Sequence, residues 1–318
     1  MAVGIGLIIL LAIVQGLLEW LPVSSEGQVV LILNWFGDPT NAVAIALFLH
    51  LGTMLAVLVR FRKDIFLLFN IKSRKKEENV ENAEVQTIEE EESIEEEKFT
   101  ESEKRKILWR FLLIATAGTA VIGVPLLLVI KFLLQEGDLY FANGRLASGD
   151  IITLIIGVFL IATGIFILVS RRKTAKKSLY EMKKWEMLIV GLAQGLAIIP
   201  GISRSGTTIG TMLIEGVNEE DSLRGSFLLS IPAIIGGNIL IIIIDLIQGE
   251  YSFVGIPWYG MILAVIISAV VGFATIELFL RLAKKVNFGW FCITIGALAL
   301  VITLIIIILA LTTTTTTV

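Results

Sequence analysis

The sequence predicts an all-α polytopic membrane protein built as an inverted repeat of two halves, each a re-entrant helix hairpin plus three transmembrane helices. Three observations predict it. The chain is 56% hydrophobic with a mean hydropathy of +0.87, far above a soluble domain. Lys and Arg cluster in alternate connections. One polar loop pattern occurs twice.

The opening MAVGIGLIILLAIVQGLLEW lacks the basic start of a signal peptide and reads as retained structure. Six plain spans follow at 41–60, 108–133, 151–170, 222–246, 258–280 and 288–311, near the ~20 residues that cross ~30 Å of hydrocarbon. The connections 61–107, 171–187 and 281–285 are rich in Lys and Arg, whereas 135–150 and 248–258 share a single arginine. The positive-inside rule places the first group in the cytoplasm and the second outside. The stretch 188–215 must therefore cross an even number of times, and its 28 residues are too few for two spans. It reads as a re-entrant hairpin turning at PGISRSG. Irregular backbone at that depth needs protein or a water-filled cavity around it.

Residues 77–103 hold 13 of the 29 acidic residues and one lysine, and without them 25 basic residues face 16 acidic ones. They belong to a charged cytoplasmic insert at 71–106, read as a solvated helix or disordered segment. The closing TTTTTTV receives no role. The single cysteine, Cys292, excludes an internal disulfide, and the single histidine, His50, excludes a two-imidazole site. His50, in LFLHLGT, reads as a helix-packing residue. No nucleic-acid partner is expected, and a homodimer is left open.

AIVQGLLEWLPVSSEGQVV (12–30) lies over GLAQGLAIIPGISRSGTTI (191–209). Gln15-Gly16 matches Gln194-Gly195, Ser24 matches Ser203, Ser25 matches Arg204 and Gly27 matches Gly206, with Pro22 and Pro200 one position apart. The repeat halves are 1–170 and 187–311 of a single membrane domain, and three spans between the hairpins invert the second relative to the first.

Pooled, the two loops supply Gln15, Glu19, Ser24, Ser25, Glu26, Gln28, Ser203, Arg204, Ser205, Thr207 and Thr208. A carboxylate, an arginine and several hydroxyls in a partly dry site suit an anionic tetrahedral group. Arg204 can clamp phosphate oxygens with its planar fork, and a helix starting near Ser205 adds free N–H groups. Glu19 suits a general base or an oxygen ligand for a divalent cation. A serine beside a base suits a nucleophile. Each has a plainer reading. Gln15 and Gln194 can be interhelical glue, the hydroxyls can back-bond to their own helices, and Glu19 can simply neutralise Arg204.

At these residues the chain resembles the undecaprenyl-diphosphate phosphatase family, also called the bacitracin-resistance family. QGLLEWLPVSSEG, LHLGT at 49–53, and PGISRSGTTI followed by SFLLSIPAIIGG carry the likeness. The resemblance implies a cell-membrane hydrolase that removes one phosphate from a polyprenyl diphosphate, recycling the lipid carrier for surface-glycan synthesis. It implies a catalytic role for Glu19, Ser25 and Arg204, with Gln15 completing the family's (Glu/Gln)-x-x-x-Glu pair. It also implies dependence on a divalent cation, magnesium or calcium, with Glu19 as the candidate ligand. Gln15, Ser24, Gln28, Ser203, Ser205, Thr207 and Thr208 are the candidate diphosphate-binding residues. The family's Ser-Ser-x-Gly-His ends here in Gln28, which transfers no proton at neutral pH although its amide can donate to phosphate. Either Glu19 then carries the proton transfer, or this member differs in activity or substrate. The rival function is a polyprenyl-phosphate flippase or small-anion transporter using the same midplane site.

Overall fold

A chain this apolar must satisfy its backbone N–H and C=O groups within its own segments, and the helix does so without help from water. The computed structural model describes residues 4–21, 23–36, 42–70, 99–135, 148–171, 176–249 and 257–313. Pro22, most of the acidic insert and the end of the threonine run lie outside the described residues. Those described form eleven α-helices: α1 (Ile5–Leu18), α2 (Ser25–Phe36), α3 (Ala42–Arg60), α4 (Arg62–Leu68), α5 (Glu101–Gln135), α6 (Ser148–Ser170), α7 (Lys184–Leu196), α8 (Arg204–Ile214), α9 (Glu219–Gln248), α10 (Trp258–Lys285) and α11 (Phe288–Thr313). A 3-10 turn at Leu179–Glu181 and an isolated bridge between Lys177 and Val217 complete them.

Among the described residues, five helices are long and apolar enough to cross a membrane: the candidate spans are Glu101–Ile130, Thr153–Ser170, Glu219–Gln248, Trp258–Leu278 and Phe288–Leu309. This is a multi-pass membrane protein. The sixth expected span, 41–60, corresponds to α3, which runs into α4 across an 80° bend and adds a sixth crossing only if the bent pair is taken as one. The bend falls at Phe61, where φ −101° and ψ 27° leave the helical region. Asp64 on α4 accepts from Nε of Arg224 on α9 at 2.8 Å, fixing the turned-out helix. The four helices beside the polar loops are short. At ~1.5 Å per residue, the 11 residues of α8 reach about half the hydrocarbon thickness.

Lipid offers no hydrophobic drive between helices, so close backbone approach supplies the packing. α6 meets α11 where Gly157 faces Gly296 and Gly164 faces Gly289; a Cβ on Gly296 would sit 2.6 Å from the Gly157 carbonyl. α5 meets α7, where a Cβ on Gly191 would collide with the Ala115 carbonyl, and α1 meets α10 at Gly16. Thr119 on α5 donates to Gly191 O at 3.1 Å, and Thr275 on α10 donates to Gly16 O at 3.2 Å. Leu298, Leu304, Ile305 and Ile308 on α11 are exposed, as a lipid-facing surface requires. Between these pairs the loops that end α1 and α7 come together, with Gly27 so near Gly201 that a Cβ on Gly27 would lie 3.0 Å from the Gly201 nitrogen.

Candidate active site

Two serines begin the two helices that frame the site. Ser24 has φ 55°, a left-handed conformation uncommon for a non-glycine residue, and its Oγ accepts from Gly27 N at 3.2 Å. Ser203 has φ −74° and ψ 120°, and its Oγ accepts from Gly206 N at 3.1 Å. Serine suits both places because its hydroxyl satisfies an N–H that a helix start leaves orphaned. Gly201, at φ +100°, makes the tight turn before Ser203, where its missing Cβ clears the Ile156 carbonyl.

The residue after each cap, Ser25 or Arg204, opens a helix and reaches the same carboxylate. Ser25 Oγ donates to Glu19 Oε2 at 2.9 Å, and Gln15 Nε2 donates to that oxygen at 2.7 Å. Arg204 Nη2 donates to Glu19 Oε1. His50 Nε2 lies 3.2 Å from Oε2, and its Nδ1 lies 2.6 Å from the Ala46 carbonyl. Glu19 is 4% exposed, so nearly all its bonding capacity is met by protein. A hydroxyl donating to a buried carboxylate is the arrangement of a nucleophile and its base.

A cavity with about 260 Å³ of empty space opens beside this cluster, lined by Glu19, Ser24, Ser25 and Glu26 of the first loop, Ser203, Arg204 and Ser205 of the second, and His50. Its lining of hydroxyl, carboxyl, guanidinium and imidazole groups suits a polar group, not a long apolar chain. Among the residues that line the cavity, two side-chain atoms are buried without a protein partner: Nη1 of Arg204 and Oε1 of Glu26. One is a cationic donor and the other a carboxyl oxygen.

The chain matches the bacitracin resistance protein BacA family over residues 8–301. It belongs to that family. Among similar proteins, one from Methanothrix thermoacetophila named undecaprenyl-diphosphatase is 35% identical over 298 residues, covering 93% of this chain and 95% of that protein. Proteins of the same name from Methanococcoides burtonii and Haloarcula marismortui are each 34% identical, over 92% of this chain and 96% and 95% of theirs.

In this BacA family member the structure joins most of the residues expected to form one site. Glu19, Ser24, Ser25, Ser203, Arg204 and Ser205 line the cavity, and Gln15 bonds Glu19 from behind. The other expected residues lie off it. Thr207 Oγ1 donates to Ser203 O and Arg204 O, each at 3.0 Å, and Thr208 Oγ1 shares a 2.6 Å hydrogen bond with Ser226 Oγ on α9. Gln28 is outside the lining, with its Nε2 buried and unpartnered. Gln194 differs from its counterpart Gln15: it donates to Thr119 Oγ1 at 2.9 Å and ties α7 to α5. The cap and the first helical bonds already take the Gly206 and Thr207 amides, which narrows the expected anion site at that helix start. Arg204 also divides its fork, one nitrogen on Glu19 and one free.

His50 departs from the packing role that its apolar helix suggests. It faces the cavity and contacts Glu19 because α3 turns that face toward the first loop. The available signal was an ionisable residue inside an apolar span, which in lipid is costly unless it serves something. Glu26 carried a similar signal, a second acid one residue from Ser25 in a segment without a single Lys or Arg.

Proposed function

We propose that this chain hydrolyses undecaprenyl diphosphate, or a related polyprenyl diphosphate, to the monophosphate and phosphate, recycling the lipid carrier for cell-envelope glycan synthesis in the cell membrane. The observation that carries this is the meeting of Ser25 and Arg204 on one buried carboxylate, with Arg204 Nη1 left free beside a cavity lined by hydroxyls. The relatives' shared name points to the substrate.

In this reading Arg204 holds the diphosphate and Ser25 Oγ attacks the terminal phosphorus. The serine proton passes to Glu19 Oε2 as the bond from that phosphorus to the bridging oxygen breaks, and polyprenyl monophosphate leaves. Water then hydrolyses the phosphoserine, releasing phosphate and restoring Ser25. Direct attack by a water that Glu19 activates is the alternative. The 2.9 Å bond from Ser25 to Glu19 favours the serine, since water would have to displace one of the carboxylate's existing donors. Ser24 and Ser203 shape the two loops, Ser205 adds a hydroxyl to the lining, and the prenyl chain lies against the apolar helices.

A divalent cation, magnesium or calcium, fits the donors on one count: Glu26 Oε1 is a buried carboxyl oxygen without a partner, of the type hard cations take. Among the described residues no three His, Cys, Asp or Glu side chains form a metal-binding group. Substrate oxygens and water would complete the shell, as magnesium favours. Glu26 would hold the ion, since both oxygens of Glu19, the other candidate ligand, are already engaged by protein groups, and a bound ion would offset phosphate charge.

The inverted repeat belongs to the same proposal, with halves 1–170 and 187–311 and re-entrant hairpins formed by α1–α2 and α7–α8. Its support is the paired detail. Both hairpins carry a serine cap bonded to a glycine N–H three residues on. Gly16 packs on Ser268, Val271 and Gly272 of α10, as Gly195 packs on Thr119, Ile122 and Gly123 of α5. The spacing of the contacted residues is the same in both.

The test is phosphate release by the purified protein from undecaprenyl and shorter prenyl diphosphates, with and without chelator. Release that stops with chelator is the expected result. A folded protein that releases no phosphate from any of these lipids would move the assignment to a polyprenyl-phosphate flippase or anion transporter.

A further inference from the structure

We propose that His50 is a positioning residue that holds Glu19 in the orientation needed to accept the Ser25 proton. This rests on the phosphatase reading and extends it to a residue outside both loops. His50 is 6% exposed and sits midway along α3. The Ala46 carbonyl can only accept, so the 2.6 Å contact assigns a proton to Nδ1 and fixes the plane of the ring. Nε2 is thereby aimed at Glu19 Oε2, 3.2 Å away, and a proton shared between those two atoms makes the contact attractive.

Glu19 needs such an anchor when substrate binds. Its other donors are Gln15 on its own helix, the nucleophile candidate Ser25, and Arg204, whose guanidinium the substrate also engages. As Arg204 turns to phosphate, its hold on Oε1 weakens, and Ser25 is consumed in the reaction. Of these partners, His50 is the one that ties the carboxylate to a different element and is neither engaged by substrate nor consumed in bond making. α3 is itself held in register there. Thr53 Oγ1 donates to the His50 carbonyl at 3.1 Å, Ser268 Oγ of α10 donates to the Leu49 carbonyl at 3.1 Å, and a Cβ on Gly52 would lie 2.5 Å from the Val265 carbonyl. A ring on so fixed a backbone determines where Oε2 sits relative to Ser25. A packing role explains none of this, since it requires neither nitrogen to have a partner.

Three substitutions separate the two accounts, read as kcat and KM for phosphate release with the melting temperature of each purified variant. His50→Phe fills the space without a donor, His50→Gln places an amide nitrogen near the position of Nε2, and His50→Asn is too short to reach Glu19. Misplacing a catalytic group by about an ångström costs on the order of a hundredfold. His50→Phe and His50→Asn are therefore expected to lose about a hundredfold in kcat, with KM within about threefold. His50→Gln should stay within about tenfold of the parent kcat. Should His50→Phe fail to fold, the Asn and Gln pair, one methylene apart, carries the comparison. Equal kcat for Phe and parent, equal loss in Asn and Gln, or a loss confined to KM would each overturn the proposal. If the parent chain itself releases no phosphate, the phosphatase reading fails, and that outcome is separate from any pattern among the variants.

Discussion

The two polar loops share a backbone device and divide the chemistry. In each, a serine caps a helix through the N–H of a glycine three residues on, and the next residue projects toward Glu19. That residue is a hydroxyl in the first loop and a guanidinium in the second. Their other surroundings differ too. The first loop bears two carboxyls, Glu19 and Glu26, while the second bears none between Ala197 and Ile214. The two loops thus supply two similar helix starts, and the residue after each cap brings a hydroxyl to one oxygen of Glu19 and a guanidinium to the other. Neither loop makes a site alone, because Arg204 needs a buried counter-charge and Glu19 needs donors.

The largest effect is expected at the matched pair itself. Ser25→Ala should lower phosphate release by about a thousandfold or more if the serine is the nucleophile; normal turnover would transfer attack to water. Arg204→Lys keeps the charge but loses the planar fork, so that contact with Glu19 and phosphate together fails. A loss of about a hundredfold in kcat/KM is expected, and near-parent turnover would remove the clamp from the mechanism.

The next effect tests the contact between the loops. A Cβ at Gly27 would meet the backbone of Gly201 at 3.0 Å, whereas one at Gly206 would meet the Ser203 and Thr163 side chains at 3.1–3.2 Å. Backbone yields less than side chain, so Gly27→Ala should cost about tenfold in turnover and Gly206→Ala less. The reverse order would show that the loops are not held against each other at Gly27.

The caps should differ in what they tolerate. Ser203→Ala is expected to lower stability by about 1 kcal/mol, read as a melting temperature in detergent. Ser24→Asn should be close to neutral, since asparagine both caps and accepts positive φ, and φ is 55° there. Equal destabilisation by the two would mean that the left-handed turn at Ser24 carries no preference of its own. The smallest effect is expected at Thr207, whose hydroxyl bonds only its own helix. Thr207→Val should change phosphate release by less than about threefold; a larger loss would return it to the binding site.

The membrane class, the long spans and the weak point at PGISRSG were legible in the sequence, because hydrophobic length and loop charge act locally and need no partner. The matched loops were legible for the same reason, and with them Glu19, Ser25 and Arg204. The span expected at 41–60 coincides with α3, and the 80° turn after it falls at Phe61 in what reads as a charged connection, where the Asp64–Arg224 contact with α9 holds α4 from far along the chain. Thr207 and Thr208 share the composition of the cavity-lining residues and, at i+3 and i+4 from Arg204, its side of α8, but one turn farther along the helix their hydroxyls bond α8 carbonyls and Ser226 instead. His50 went the other way. Its sequence neighbourhood is apolar, and only the packing of α3 against the first loop brings it to Glu19. Sequence alone therefore determined which segments are long and apolar enough to cross a membrane and which residue types gather at the two turns. Tertiary packing decided which of those side chains share a carboxylate, because hydrogen bonds over about 3 Å depend on helix rotation and register that no single segment specifies.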